Sequence, residues 1–174
     1  ASRGQLDASV FLGGAYKNIR PDLKLKVGQW YHVAMVYEGD SLALYVDGKP
    51  QGRLPTKPLM KRKANWLPFI VGADPDVRGR PNSFFNGEID EIRISKGARY
   101  NQPFEPKRRL TSDENTVIFL DCDRTVGPFL IDRSPQGHSF RLTGDAHLTD
   151  DPPTELPGNS ALRSVAGAAG CAAW

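Results

Sequence analysis

Short apolar runs separated by turn residues set the character of this chain. Residues 10–12 form one such run, which ends at Gly13-Gly14. Between 23 and 27, Leu23, Leu25 and Val27 alternate with Lys24 and Lys26, the period-two pattern of a strand with one face inward. Residues 30–37 are apolar at both parities, which predicts a central strand covered on both faces. Glu38 to Ser41 reads as a hairpin loop, and residues 42–46 return with Leu42, Leu44 and Val46 on one face. Asp47-Gly48 then predicts a tight turn, because glycine accepts positive φ at little cost. Further strands are predicted over 68–72, 84–95, 116–121 and 139–142, with loops over 52–66 and 73–83 and a basic connector over 103–112. No helix of ordinary length is required.

Beyond residue 150 the periodicity stops. Asp151-Pro152-Pro153-Thr154 and the Ala/Gly-rich stretch 164–173 predict a mostly disordered tail over 151–174, behind one domain spanning 1–150. The chain has 174 residues, 17 of them Gly and 14 Pro, in keeping with many short strands and turns. A net charge of +3 with both signs interleaved gives no footprint for nucleic acid. No apolar run reaches the length of a membrane span. The basic stretch 52–66 reads as a solvated loop. Cys122 falls in an apolar strand and Cys171 in the tail, and spacing alone does not say whether they pair.

The segment from Phe84 to Tyr100 carries the most chemistry. On a continuous strand Asp90 shares a face with Ile92 and Ile94, so if the isoleucines point inward Asp90 does too. A buried carboxylate needs partners, either hydrogen-bond donors or a metal.

Three ordered segments resemble a known family: Val27-Gly28-Gln29-Trp30-Tyr31-His32, then Leu42-Ala43-Leu44-Tyr45-Val46-Asp47-Gly48, then Phe85-Asn86-Gly87-Glu88-Ile89-Asp90-Glu91-Ile92. They are similar to the concanavalin A-like lectin/glucanase superfamily in its bacterial laminin G-like branch. The apolar run 116–121 and Asp132-Arg133-Ser134-Pro135-Gln136-Gly137-His138 look like elements that follow in such proteins, so the resemblance extends over roughly 10–145. It implies an antiparallel jelly-roll β-sandwich within a larger extracellular or cell-envelope protein. Family members carry several strands before the Gly-Gln-Trp segment. Here that stretch is short, which implies that the first strands are missing or that the segment after Thr116 takes their place.

The same fold hosts glycoside hydrolases, whose retaining members need two carboxylates about 5 Å apart. In that family they come from one strand as Glu-x-Asp-x-Glu. Here Glu88 and Asp90 keep the first half, and Ile92 or Arg93 stands where the second acid belongs, so no catalytic pair is expected. The expected activity is non-catalytic binding of a carbohydrate or cell-surface glycoconjugate. A structural or protein–protein spacer is the alternative, and a degenerate hydrolase the weaker one. Trp66, Tyr100, Tyr16 and Phe84 are the aromatics near predicted loops, with Asp74 and Asp76 as polar companions. A structural calcium would suit oxygen ligands such as Asp90, Asp123 and Asp132, with Asp121, Asp74 and Asp76 as further candidates. His32 lies mid-strand and reads as an inter-sheet residue.

Overall fold

The computed structural model describes residues 5–56, 66–149, 161–164 and 171–173. Among them every regular element is a strand and every pairing is antiparallel. No helix is long and apolar enough to cross a membrane among the described residues. The contacts divide the chain into two units, Ala1–Ala64 with Gly97–Lys107, and Asn65–Lys96 with Arg108–Trp174.

The first unit holds β1 (Ala8–Leu12), β2 (Ala15–Ile19), β3 (Val33–Tyr37), β4 (Ser41–Val46) and β5 (Lys49–Pro55). Gly13 and Gly14, at φ 56° and 88°, turn β1 into β2 with Leu12 opposite Ala15. Asp47 and Gly48, at φ 49° and 70°, turn β4 into β5 with Val46 opposite Lys49. Two consecutive positive φ values define the type I′ turn, whose twist suits paired strands. The sheet order is β3-β4-β5, and all six β4 residues are buried. On one face Leu42 and Leu44 pack with Ala8 and Ile19 of the β1–β2 hairpin. On the other, Val36, Ala43 and Tyr45 pack with Tyr100 and Phe104 from the strap 97–107. The expected central strand over 30–37 is thus corrected: β3 is shorter and lies at a sheet edge, where Val33 and Met35 stay exposed. Its two apolar parities misled because the covered centre is β4. The run 23–27 makes only an isolated bridge, Gln5 to Lys24.

The second unit holds β6 (Ile70–Val71), β7 (Asp74–Pro75), β8 (Pro81–Asn82), β9 (Gly87–Ile89), β10 (Ile92–Ser95) and β11 (Thr116–Val126). It continues with β12 (Phe129–Asp132), β13 (Ser139–Arg141), β14 (His147–Thr149), β15 (Ala161–Ser164) and β16 (Cys171–Ala173). One sheet runs β10-β11-β12-β13-β16-β6, a second β14-β15-β9, and β7 with β8 forms a small hairpin. Val71, Ile118, Leu120, Cys122, Leu130 and Phe140 form its core, with Ile89, Ile92 and Ile94 packed against it. Two segments expected in a disordered tail, 161–164 and 171–173, are the strands β15 and β16. The rest of 150–174, and residues 57–65 of the basic loop, lie outside the described residues.

Candidate binding site

The expected continuous strand 84–95 breaks between Ile89 and Ile92, where Glu91 takes a left-handed φ of 47°. That one residue resets which side chains share a face. Asp90 Oδ1 accepts the N–H of its neighbour Glu91 at 2.9 Å. Glu91 is the acid drawn inside: its Oε2 accepts the Leu110 N–H at 2.9 Å, and its Oε1 is buried with no hydrogen-bond partner. Burial pushes the Glu91 carboxyl above its ordinary value and the Leu110 N–H opposes this; Asp90 and Asp123 raise it further while Arg109 lowers it.

The other acids are held by protein donors. Asp123 takes both guanidinium nitrogens of Arg109, at 3.0 and 3.5 Å. Asp121 pairs with Arg133. Asp132 has a fully buried side chain at the heart of the Asp-x-Ser-x-x-Gly-His loop. Its Oδ1 accepts the N–H groups of Phe119 and Ser134 at 2.9 and 2.8 Å. Its Oδ2 accepts from the Ser134 hydroxyl at 2.9 Å and the His138 N–H at 3.0 Å, and meets His138 Nδ1 at 2.8 Å. Burial pushes this carboxyl up, but the hydrogen bonds from Phe119, Ser134 and His138 outweigh it and hold the pKa below the usual aspartate value. A carboxylate offers about four lone-pair sites, so Asp132 has none to give a cation. No group of three or more His, Cys, Asp and Glu side chains suited to a metal gathers among the described residues. Asp90, Asp123 and Asp132 do not come together as one ligand group among the described residues.

The aromatic candidates separate by environment. Tyr100 stacks on Phe104, rings 3.6 Å apart and 7° from parallel, and meets Tyr45 and His32 edge-on, so it belongs to the core of its unit. His32 also packs against Phe104 at 5.5 Å. Tyr16 is 70% exposed at the tip of the β1–β2 hairpin, edge-on to its cross-strand partner Phe11. Phe84 is at the margin of exposure. Trp66 is 71% exposed, and a Cβ built on Gly79 would lie 3.4 Å from its ring and 3.1 Å from Pro68. Trp66 thus leans on the turn of the β7–β8 hairpin, which also carries Asp74 and Asp76. That turn is rigid: Asp76 Oδ1 accepts the N–H groups of Arg78 and Arg80, and its Oδ2 pairs with the Arg80 guanidinium at 3.0 Å. The Arg80 N–H is the main cause of the lowered Asp76 pKa. Gly79 escaped notice in the sequence, although a glycine between two arginines marks where a ring could approach the backbone.

Glu88 lies on β9 opposite Arg163 of β15 with Asp90 two residues on, and beyond the break at Glu91 the positions where the further acid of the glycosidase pattern would stand are Ile92 and Arg93 on β10. Residues 1–102 match the family model of the concanavalin A-like lectin/glucanases superfamily, in its laminin G-like form. The chain belongs to this superfamily. Its all-β antiparallel class is the one the resemblance implied. Laminin G-like domains are commonly non-catalytic binding modules, and the match supports a lectin-like or binding role in general. Comparisons with curated proteins and with solved structures found no match.

Proposed function

We propose that this laminin G-like chain is a non-catalytic module that binds carbohydrate in an extracellular or cell-envelope setting. The observation that carries the proposal is Trp66, an exposed indole propped on a turn that Asp76 holds rigid. A flat apolar ring stacks the C–H face of a pyranose, while exposed Arg78 and Asp74 on the same hairpin supply hydrogen bonds to hydroxyls. A preformed turn lowers the ordering cost of binding. Catalysis has no support in the Glu88–Asp90 segment, where Ile92 and Arg93 stand in place of the further acid, and Asp121, Asp123 and Asp132 are engaged by arginines and backbone N–H groups. A glycan array probed with the full chain tests this. Binding that Trp66→Ala abolishes is the expected result; binding untouched by that substitution overturns the assignment of the site.

A second reading, a protein–protein module, is favoured by the edge strand β3, which exposes Val33 and Met35. Edge strands recruit partner strands. Specific capture of a protein partner that Met35→Lys abolishes, with no glycan hit, would decide for it.

A further inference from the structure

We propose that the outer face of the β1–β2 hairpin is a second carbohydrate platform, taking an uncharged pyranose chain. Its ligand class rests on the lectin-like reading above, but its residues belong to the other unit.

β1 alternates between core and solvent, and β2 buries Ile19 while exposing Tyr16 and Asn18. Ala8, Leu12 and Ile19 are buried in the core, so their neighbours along each strand point to solvent. Phe11 and Tyr16 are direct cross-strand partners, with ring centroids 5.1 Å apart and planes at 71°. They are 38% and 70% exposed. An edge-to-face pair makes a corner of floor and wall that leaves ring faces open to a ligand. The next same-face pair, about 7 Å along the strands, is Ser9 opposite Asn18, both exposed. That step is the size of a sugar ring, so a pyranose seated on the rings directs its rim hydroxyls at the Asn18 amide. At the base of the hairpin Arg20 Nε meets Asp7 Oδ2 at 2.6 Å, and the Ser9 hydroxyl donates to Asp7 Oδ1 at 3.0 Å.

Charge and area choose the occupant. Asp7 and Arg20 neutralise each other and Lys17 alternates to the other face opposite Val10, so the outward face of the strip carries no unpaired cation among the described residues and favours an uncharged ligand. Two aromatic side chains cover at most about 500 Å², below the roughly 800 Å² per partner of a stable protein interface. The apolar patch is therefore of sugar size rather than protein size.

The test is titration calorimetry of the full chain with neutral trisaccharides of glucose, mannose and N-acetylglucosamine. Two bound trisaccharides per chain are expected, falling to one in Tyr16→Ala and one in Trp66→Ala. Asn18→Ala is expected to weaken the hairpin site about tenfold. Melting temperatures should stay at the wild-type value, because the altered side chains are exposed. One site per chain, lost in Trp66→Ala and unchanged in Tyr16→Ala, overturns the hairpin platform and leaves the Trp66 reading intact. One site lost only in Tyr16→Ala keeps the platform and removes the Trp66 reading. No binding, or self-association that Tyr16→Ala abolishes, overturns the platform.

Discussion

Replacing Asp132 by Asn should cost about 3 kcal/mol of stability at pH 7, although only one atom changes identity. The carboxylate accepts five contacts in a site from which solvent is excluded. Asparagine keeps one oxygen, enough for the N–H groups of Phe119 and Ser134, but those bonds lose their charge assistance, roughly 1 kcal/mol each. The Ser134 hydroxyl can redirect to the Val117 carbonyl, 2.9 Å away. His138 Nδ1 can become an acceptor by changing tautomer. The His138 N–H has no such escape: it meets an amide donor, and an orphaned buried donor costs about 1–3 kcal/mol. The sum, about 3–5 kcal/mol, is reduced by relief of the desolvated charge. Urea denaturation followed by circular dichroism measures the difference. The folded pKa of Asp132 lies below the ordinary 3.8, so its contribution is complete above that value and fades as pH falls through the folded pKa. The gap between wild type and Asp132→Asn should therefore narrow below about pH 4. A gap under about 1 kcal/mol at pH 7, or one that stays constant into acid, would refute the role given to Asp132.

Other substitutions probe the remaining parts. Gly48→Ala places a Cβ 1.7 Å from the Phe104 carbonyl oxygen at a φ of 70°. It should cost about 3 kcal/mol or more, of which about 1–2 is the left-handed backbone, and a fall in melting temperature of less than about 3 °C would count against the docked strap. The raised pKa of Glu91 means its contribution is full below the ordinary 4.5 and is lost as pH rises through the higher folded value. Glu91→Gln, which can still accept the Leu110 N–H, should accordingly gain on the wild type between pH 4 and pH 7 in urea melts; a difference independent of pH would contradict the burial of that carboxyl. Trp66→Ala should leave stability within about 0.5 kcal/mol while weakening glycan binding about tenfold, so a large loss of stability would mark Trp66 as a packing residue instead.

Legibility followed local chemistry. Asp47-Gly48 announced its turn and Gly13-Gly14 the end of a strand because glycine takes positive φ at little cost, and both pairs sit at positive φ in the structure. The strand β2 went unread, since Tyr16, Lys17 and Asn18 give no apolar run; only their pairing opposite Phe11, Val10 and Ser9 makes them a strand. The edge position of β3 was equally hidden, because two apolar parities say that a segment can be covered on both faces and not that it is. The buried arrangement of Asp132 needed the loop from Ser134 to His138 folded back on it.

The acid in the interior shows the limit most sharply. Parity along a strand assigns Asp90 to the face of Ile92 and Ile94, and that inference holds only while φ stays extended. A single left-handed residue, Glu91, interrupts the count. No rule of propensity places a glutamate there, because the αL region favours Gly, Asn and Asp. Its stability must come from tertiary contacts, of which the bond from the Leu110 N–H to its own carboxylate is one. The residue that breaks the strand is thus also the residue whose side chain is held across the break. The Glu-x-Asp signature accordingly marks a folding junction here, with Glu88 before it on β9 and the isoleucines after it on β10, and Ile92 and Arg93 stand where the further acid would be.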